Sequence, residues 1–133
     1  MGNLTKNFSR HEFQCHCGCG EGIVRMELVE KLQRVRDHIG APVIINSAYR
    51  CETHNREVGG SPTSSHLRSW AVDIRCDGSS HRYLLLEHLI DEGFRRIGVA
   101  WNFIHADMDP DKPACLIWLY PVKPVHNLEE IKS

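Results

Sequence analysis

The chain has 133 residues, of which 41% are hydrophobic and 25% charged, and its 16 basic and 17 acidic residues give a formal net charge of −1. This length fits one domain with a single core. The scattered basic residues argue against a nucleic-acid-binding surface, and no apolar run approaches the ~20 residues that a membrane helix needs. We expect a single-domain monomer that binds no nucleic acid and inserts in no membrane.

The opening segment, residues 1–7, lacks the apolar core of a secretory signal peptide. We therefore expect the protein to stay in the cytoplasm of the cell that makes it. An extracellular target would be reached only after release or delivery.

The N-terminal part of the chain predicts a short helical turn, an irregular loop and a long helix. Ser9 stands three residues before Glu12, which is the spacing of a capping box. Residues 15–22 are rich in glycine and cysteine and predict irregular structure. Apolar residues then recur at three- and four-residue steps over residues 25–39, which indicates an amphipathic helix that ends at Gly40.

Three of the six cysteines lie close together in this irregular segment. Cys15, Cys17 and Cys19 are spaced C-x-C-x-C, which is tighter than the C-x₂₋₄-C knuckle of structural zinc sites. Cys51 is the one obvious fourth thiol in the sequence. Two interpretations stay open: a structural metal site, and plain buried or paired cysteines.

The middle of the chain predicts two buried strands with a loop between them. Residues 43–49 open with a β-branched run after Pro42 and end at Arg50, which faces a cleft or makes a surface ion pair. Residues 55–65 contain a G-G-S-P sequence, which predicts a turn-rich loop. Residues 70–74 predict the second strand.

The C-terminal half predicts one helix followed by strands. Residues 79–93 favour a helix, residues 97–100 and 103–108 two adjacent strands or one interrupted strand, and residues 114–120 a last strand. A loosely packed tail is expected over residues 121–133. This order predicts an α+β domain spanning residues 1–133, with its core at about 8–120 and with helices flanking a small, largely antiparallel sheet.

His66, Asp73 and His105 are candidate metal ligands. Alternate residues on a strand share a face, so Asp73 lies alongside Ala71, whose small side chain leaves room for an ion. A buried carboxylate needs a partner, and either a metal or an ordinary buried ion pair would satisfy Asp73. Two histidines and one carboxylate, with water as the fourth ligand, form the ligand set of a hydrolytic zinc site.

Several motifs resemble, in the right order, those of one peptidase family. Residues 64–73 resemble the S-x-H-x-x-G-x-A-x-D signature of the zinc D-Ala-D-Ala carboxypeptidase family, which includes phage endolysins and shares its fold with the hedgehog signalling domain. Residues 47–51 resemble its S-G-Y-R segment, and residues 103–107 resemble its F-x-H-x-D strand. Residues 8–15 and 54–60, the latter H-N-x-x-V-G-G, are similar to a short branch common in phages and prophages.

The resemblance implies a hedgehog-like zinc peptidase fold in which His66, Asp73 and His105 bind Zn²⁺. The implied activity is hydrolysis of a peptide bond in peptidoglycan stem peptides, as a D,D-carboxypeptidase or an endopeptidase. Arg50 would hold the substrate carboxylate or polarise its carbonyl group, because its planar fork suits a carboxylate. Ser64 would be a hydrogen-bond partner in the substrate site. The producing cell would be a bacterium, with a phage as a possible source of the gene.

The chain departs from the family pattern at two places. Ser69 replaces the signature glycine, which predicts a strained turn. Where several branches have a carboxylate before the last histidine, this chain has Val99 and Asn102, neither of which can take a proton from water. Asp107 is the carboxylate nearest to His105, and it acts either as the base or as a partner that orients His105. The missing acid leaves an alternative function, a catalytically weak or inactive zinc-stabilised module that binds cell walls or belongs to a phage particle.

Overall fold

The computed structural model describes residues 2–121, and the prediction for the tail lies outside this range from residue 122 onward. The described residues form an α+β fold, which confirms the predicted class. The helices are α1 (Met26–Ile39), α2 (Glu52–Glu57) and α3 (Ser79–Asp91), with two 3₁₀ helices at Arg10–Phe13 and Ser65–Arg68. The strands are β1 (Ile45–Ser47), β2 (Ala71–Arg75), β3 (Arg96–Val99), β4 (Phe103–Asp107) and β5 (Leu116–Leu119).

The five strands form one sheet in the order β1-β2-β4-β3-β5. Neighbouring strands are antiparallel except β3 and β5, which run parallel. Strands β3 and β4 are separate strands of a hairpin, so of the two sequence alternatives the adjacent pair is correct. The predicted last strand is β5.

One face of the sheet packs against helices and forms the core. Helix α1 buries most of the apolar side chains that its periodicity predicted, although Met26 at its start is exposed. The helix ends at Gly40, whose φ of 68° places it in the left-handed region that glycine adopts without strain. Helix α3 packs beside α1 and supplies further buried leucines. The principal core side chains of these elements are Leu28, Val29, Leu32, Val35, Val72, Ile74, Leu85, Leu89, Ile97 and Ile104. The opposite face of the sheet is left for polar residues.

The turn-rich loop predicted over residues 55–65 is partly wrong, because its first residues belong to helix α2. The thiol sulfur of Cys51 accepts a hydrogen bond from the backbone N–H of His54 and caps this helix. Cysteine is not among the usual N-cap residues, so the sequence carries no ordinary start signal for α2.

The turn at Ser69 has the strain that the missing glycine predicts. Ser69 has φ 61° and ψ 25°, a left-handed conformation that costs a residue with a side chain about 1–2 kcal/mol. Its hydroxyl donates a 2.5 Å hydrogen bond to the carbonyl of Ile23, which offsets part of that cost. Over residues 2–121, no helix combines the length and the apolar character needed to cross a membrane.

Candidate metal centre

The polar face of the sheet carries two rows of residues across the strands. Because β2, β4 and β3 are in antiparallel register, Asp73 pairs with His105 and His105 pairs with Gly98. In the next row, Asp107 lies between Ala71 and Arg96. The sheet register therefore brings one predicted carboxylate ligand directly opposite one predicted histidine ligand.

His66 reaches the same place from the 3₁₀ helix that precedes β2. Its Nδ1 lies 2.6 Å from the carbonyl oxygen of Ala48, and its Nε2 lies 3.3 Å from Asp73 Oδ1. Ser64 caps the short helix, because its hydroxyl oxygen accepts the backbone N–H of His66 at 3.2 Å. The His66 side chain is 2% exposed, so its orientation is fixed by these contacts.

His105 is held between two carboxylates. Its Nδ1 lies 3.1 Å from Asp73 Oδ1, and its Nε2 lies 2.7 Å from Asp107 Oδ2. The other oxygen of Asp107 accepts the backbone N–H of Asp109 at 3.1 Å and forms an ion pair at 2.9 Å with Arg96 Nε, without the angle of a hydrogen bond. Asp107 is buried, and both of its carboxylate oxygens have partners.

The separations between the candidate ligand atoms fit a tetrahedral metal site. Zinc bonds of about 2.0–2.2 Å place neighbouring ligand atoms about 3.3–3.6 Å apart. Asp73 Oδ1 lies 3.3 Å from His66 Nε2 and 3.1 Å from His105 Nδ1. All three ligand atoms lie within 4.8 Å of one another. The residues present therefore have the spacing that zinc requires.

The hydrogen-bond partners of the two histidines also favour a cation. A carbonyl or carboxylate oxygen only accepts, so His66 Nδ1 and His105 Nε2 each carry a hydrogen. In neutral imidazoles, the remaining nitrogens then present lone pairs toward Asp73. The two nitrogen lone pairs and the Asp73 carboxylate therefore face one another. Three such acceptors need either additional protons or a metal ion between them.

The pKa values of the site reflect this concentration of charge. Burial by itself would raise the pKa of Asp73, but the hydrogen bonds and charges of His105 and His66 hold that pKa well below its usual range. Burial by itself would lower the pKa of His105, whereas Asp107 and Asp73 raise it. Without a metal, His105 therefore keeps its extra proton to a higher pH than an ordinary histidine, and metal binding would release that proton.

A comparison with protein families agrees with this geometry. A family model described as Peptidase M15 matches residues 6–107, which include His66, Asp73 and His105. The chain belongs to the peptidase M15 family. M15 peptidases are zinc-dependent metallopeptidases, as the sequence motifs implied. A comparison with curated proteins gave no match.

The candidate ligands of this M15 chain line a cleft of about 460 Å³. Arg50 also lines it, and its Nη2 donates a 3.1 Å hydrogen bond to the Ser64 hydroxyl oxygen. Burial lowers the pKa of Arg50, and its Nε is buried without a hydrogen-bond partner among residues 2–121. Arg50 therefore places a partly buried positive charge at the wall of the cleft.

The cleft of this M15 chain is also lined by Arg96, Trp118 and Tyr120. The sequence did not single out these three as site residues. Trp118 and Tyr120 are two residues apart, and strand periodicity predicts that they share a face. The sequence did not reveal that β5 pairs with β3, which is what brings both rings to the cleft. Burial raises the pKa of Tyr120 above the ordinary phenol value of 10.0, so it is protonated at neutral pH like other tyrosines.

The acid positions missing from the M15 pattern are not replaced from elsewhere in the cleft. Val99 ends β3, and Asn102 lies in the turn before β4. Among the described residues that line the cleft, the carboxylates are Asp73 and Asp107. Asp107 is thus the one lining carboxylate outside the candidate ligand set.

Proposed function

We propose that this M15 metallopeptidase hydrolyses a peptide bond in peptidoglycan stem peptides, as a D,D-carboxypeptidase or a cross-link endopeptidase. The observation that carries the proposal is the partly buried guanidinium of Arg50 in the same cleft as the candidate metal ligands. Such a guanidinium favours a carboxylate or a polarised carbonyl oxygen as its partner. A stem peptide offers both groups next to the bond that would be cut.

His66, Asp73 and His105 would hold the zinc ion. Bound zinc would supply a Lewis acid and a water whose pKa is lowered towards ~7. The protein residues do the remaining work of binding and orientation. Ser64 fixes one end of the Arg50 guanidinium. The phenol of Tyr120, which is protonated at neutral pH, would be a donor for a developing oxyanion.

We assign Asp107 to the positioning of His105. Its Oδ2 accepts the His105 Nε2 hydrogen, and its Oδ1 is engaged by Arg96 and by the backbone of Asp109. A general base needs a free oxygen within reach of the proton that it removes. Asp107 would have to give up one of these contacts to act in that way.

The test is turnover by the purified zinc-loaded protein on two substrates. We expect release of D-alanine from a pentapeptide stem if the protein is a carboxypeptidase, and cleavage of cross-linked dimers if it is an endopeptidase. His66→Ala should abolish either activity because a ligand is lost. Arg50→Lys keeps the charge but loses the fork, and should raise KM at least tenfold, since hydrogen bonds to charged groups contribute about 1.5–3 kcal/mol.

The proposal fails if the zinc-loaded wild type releases no more product than His66→Ala from either substrate. The alternative is a zinc-stabilised cell-wall-binding module, which is favoured by the lack of a free carboxylate among the cleft-lining residues within 2–121. That function predicts that wild-type protein sediments with purified cell walls but shows no turnover.

A further inference from the structure

Four of the six cysteines come together away from the histidine site. Cys15, Cys17 and Cys19 lie in the loop that follows the first 3₁₀ helix, and Cys51 stands at the start of α2. The four sulfur atoms lie within 4.8 Å of one another. Cys51 is distant in sequence from the other three, so the fold must hold this loop close to the start of α2 to assemble the cluster. All four are free thiols.

The sulfur separations match a metal site better than disulfides. Sulfur distances are 3.4 Å between Cys15 and Cys17, and 3.7 Å from each of them to Cys51. Zinc–sulfur bonds of about 2.3 Å place the corners of a tetrahedron about 3.8 Å apart. A disulfide would require about 2.05 Å. The cluster therefore has the dimensions of a tetrathiolate cage.

Backbone N–H groups point at three of these sulfurs. The N–H of Cys51 donates to Cys15 Sγ, that of His54 to Cys51 Sγ and that of Glu21 to Cys19 Sγ, each at 3.4 Å. Such donors stabilise negative charge on sulfur, and the thiolate is the form that binds metals. Four thiolates so close together would repel one another without a cation.

The surrounding loop has no regular secondary structure of its own. Residues 14–25 contain no helix or strand, and Cys17 and Cys19 are exposed. A metal ion bound here would join this loop to Cys51, which directly follows Arg50 in the cleft. It would thereby fix the backbone that carries the proposed substrate-binding arginine.

We propose that Cys15, Cys17, Cys19 and Cys51 bind a second zinc ion in a closed, structural tetrathiolate site. Four sulfur ligands leave no position for water, in contrast to the open histidine site. Sulfur donors in a tetrahedron select soft ions such as zinc. This ion does not take part in the reaction, so its presence can be tested independently of peptidase activity.

The experiment measures metal content of full-length protein purified under a non-chelating reductant. We expect two zinc ions per wild-type chain and one in the double variant Cys17→Ser/Cys19→Ser, whose two positions are exposed. His66→Ala should also retain one zinc ion, bound by the cysteines. Cys115→Ser is the matched control, because Cys115 is exposed and outside the cluster, and it should keep two.

Cobalt substitution identifies the site directly. A thiolate-to-cobalt charge-transfer band should appear in wild type and in His66→Ala, and disappear in Cys17→Ser/Cys19→Ser. The proposal is overturned if wild type holds one zinc ion that His66→Ala removes, or if the double variant keeps the charge-transfer band. Cluster thiols that alkylate equally fast with and without a chelator would contradict it as well.

Discussion

At the centre of the cleft, His105 lies between two carboxylates that have different tasks. Asp73 faces the nitrogen that would bind metal, and Asp107 accepts the hydrogen from the other nitrogen. A carboxylate that accepts this hydrogen, as Asp107 does, fixes the tautomer and the ring orientation of a metal-binding histidine. Arg96 and the Asp109 backbone in turn hold Asp107 in place.

Replacing Asp107 should show whether this carboxylate supports zinc binding or takes part in the chemical step. In Asp107→Asn, we expect zinc affinity to fall about 10–100-fold, because the amide is a weaker acceptor for His105. At zinc concentrations that refill the site, kcat should return to within a few-fold of wild type. Zinc titration followed by steady-state kinetics measures both quantities.

The control for Asp107→Asn is Asp77→Asn, which removes an exposed carboxylate that is paired with Arg75 and should alter neither value. If Asp107 is instead the general base, kcat should fall by about 10²–10⁴ with zinc fully bound. That result would contradict the positioning role.

At the scale of the elements, β5 brings aromatic rings to the cleft only because β3 has a glycine at the crossing point. Gly98 pairs with Trp118 in β5 and with His105 in β4. A Cβ atom at Gly98 would lie 2.6 Å from both Trp118 Nε1 and Tyr120 Cε2, well inside contact distance. Trp118 also packs near His105, with ring centroids 5.3 Å apart.

Gly98→Ala should therefore displace the rings and disturb the cleft. We expect a loss of about 1–3 kcal/mol in the free energy of unfolding, which is typical of overpacking, together with lower activity. Urea denaturation of zinc-loaded protein measures the first effect. In a Trp118→Ala background, the same substitution should cost less, because one of the two clashing rings is gone and Tyr120 remains. Equal costs in both backgrounds would show that the clash is not with Trp118.

At the scale of the whole molecule, a buried carboxylate ties the end of the sheet to the helix that carries His66. Asp109 accepts hydrogen bonds from the Ser65 hydroxyl at 2.8 Å and from Arg68 Nη2 at 2.7 Å. The Asp111 backbone and the Lys112 ammonium group also face it. Burial by itself would raise the pKa of Asp109, but these contacts lower it below the ordinary value of 3.8.

Because its pKa is lowered, Asp109 should contribute to the free energy of unfolding at neutral pH and lose that contribution in acid. A carboxylate with a lower pKa in the folded state stabilises the fold above about pH 4 and loses that effect as pH falls towards the folded pKa. Asp109→Asn should therefore be about 1–3 kcal/mol less stable than wild type at pH 7, because it loses hydrogen bonds to a charged group. The difference should shrink as the pH falls below about 4.

Urea denaturation at pH 7 and at pH 3 measures this difference. Asp111→Asn is the control, since its ion pair with Arg68 is exposed to solvent and should contribute little to stability at either pH. A gap between Asp109→Asn and wild type that stays constant with pH would contradict the assignment.

The sequence by itself determined the elements whose signals are local. The apolar periodicity of α1 and its terminal glycine predicted that helix almost to the residue, because burial of one face and a left-handed cap both leave a pattern in the chain. The motifs around His66 and His105 likewise pointed to the family that the family match then showed. These features depend on residues that are neighbours in sequence.

The tertiary structure decided what depends on pairing between distant segments. Only the sheet register places Asp73 opposite His105 and Arg96 beside Asp107. Only the parallel pairing of β3 and β5 brings Trp118 and Tyr120 to the cleft. No local pattern encodes which strands pair or where a loop folds back, because those choices follow from packing of the whole chain. For the same reason, the cysteine spacing in the sequence did not show that Cys51 lies beside the other three sulfurs.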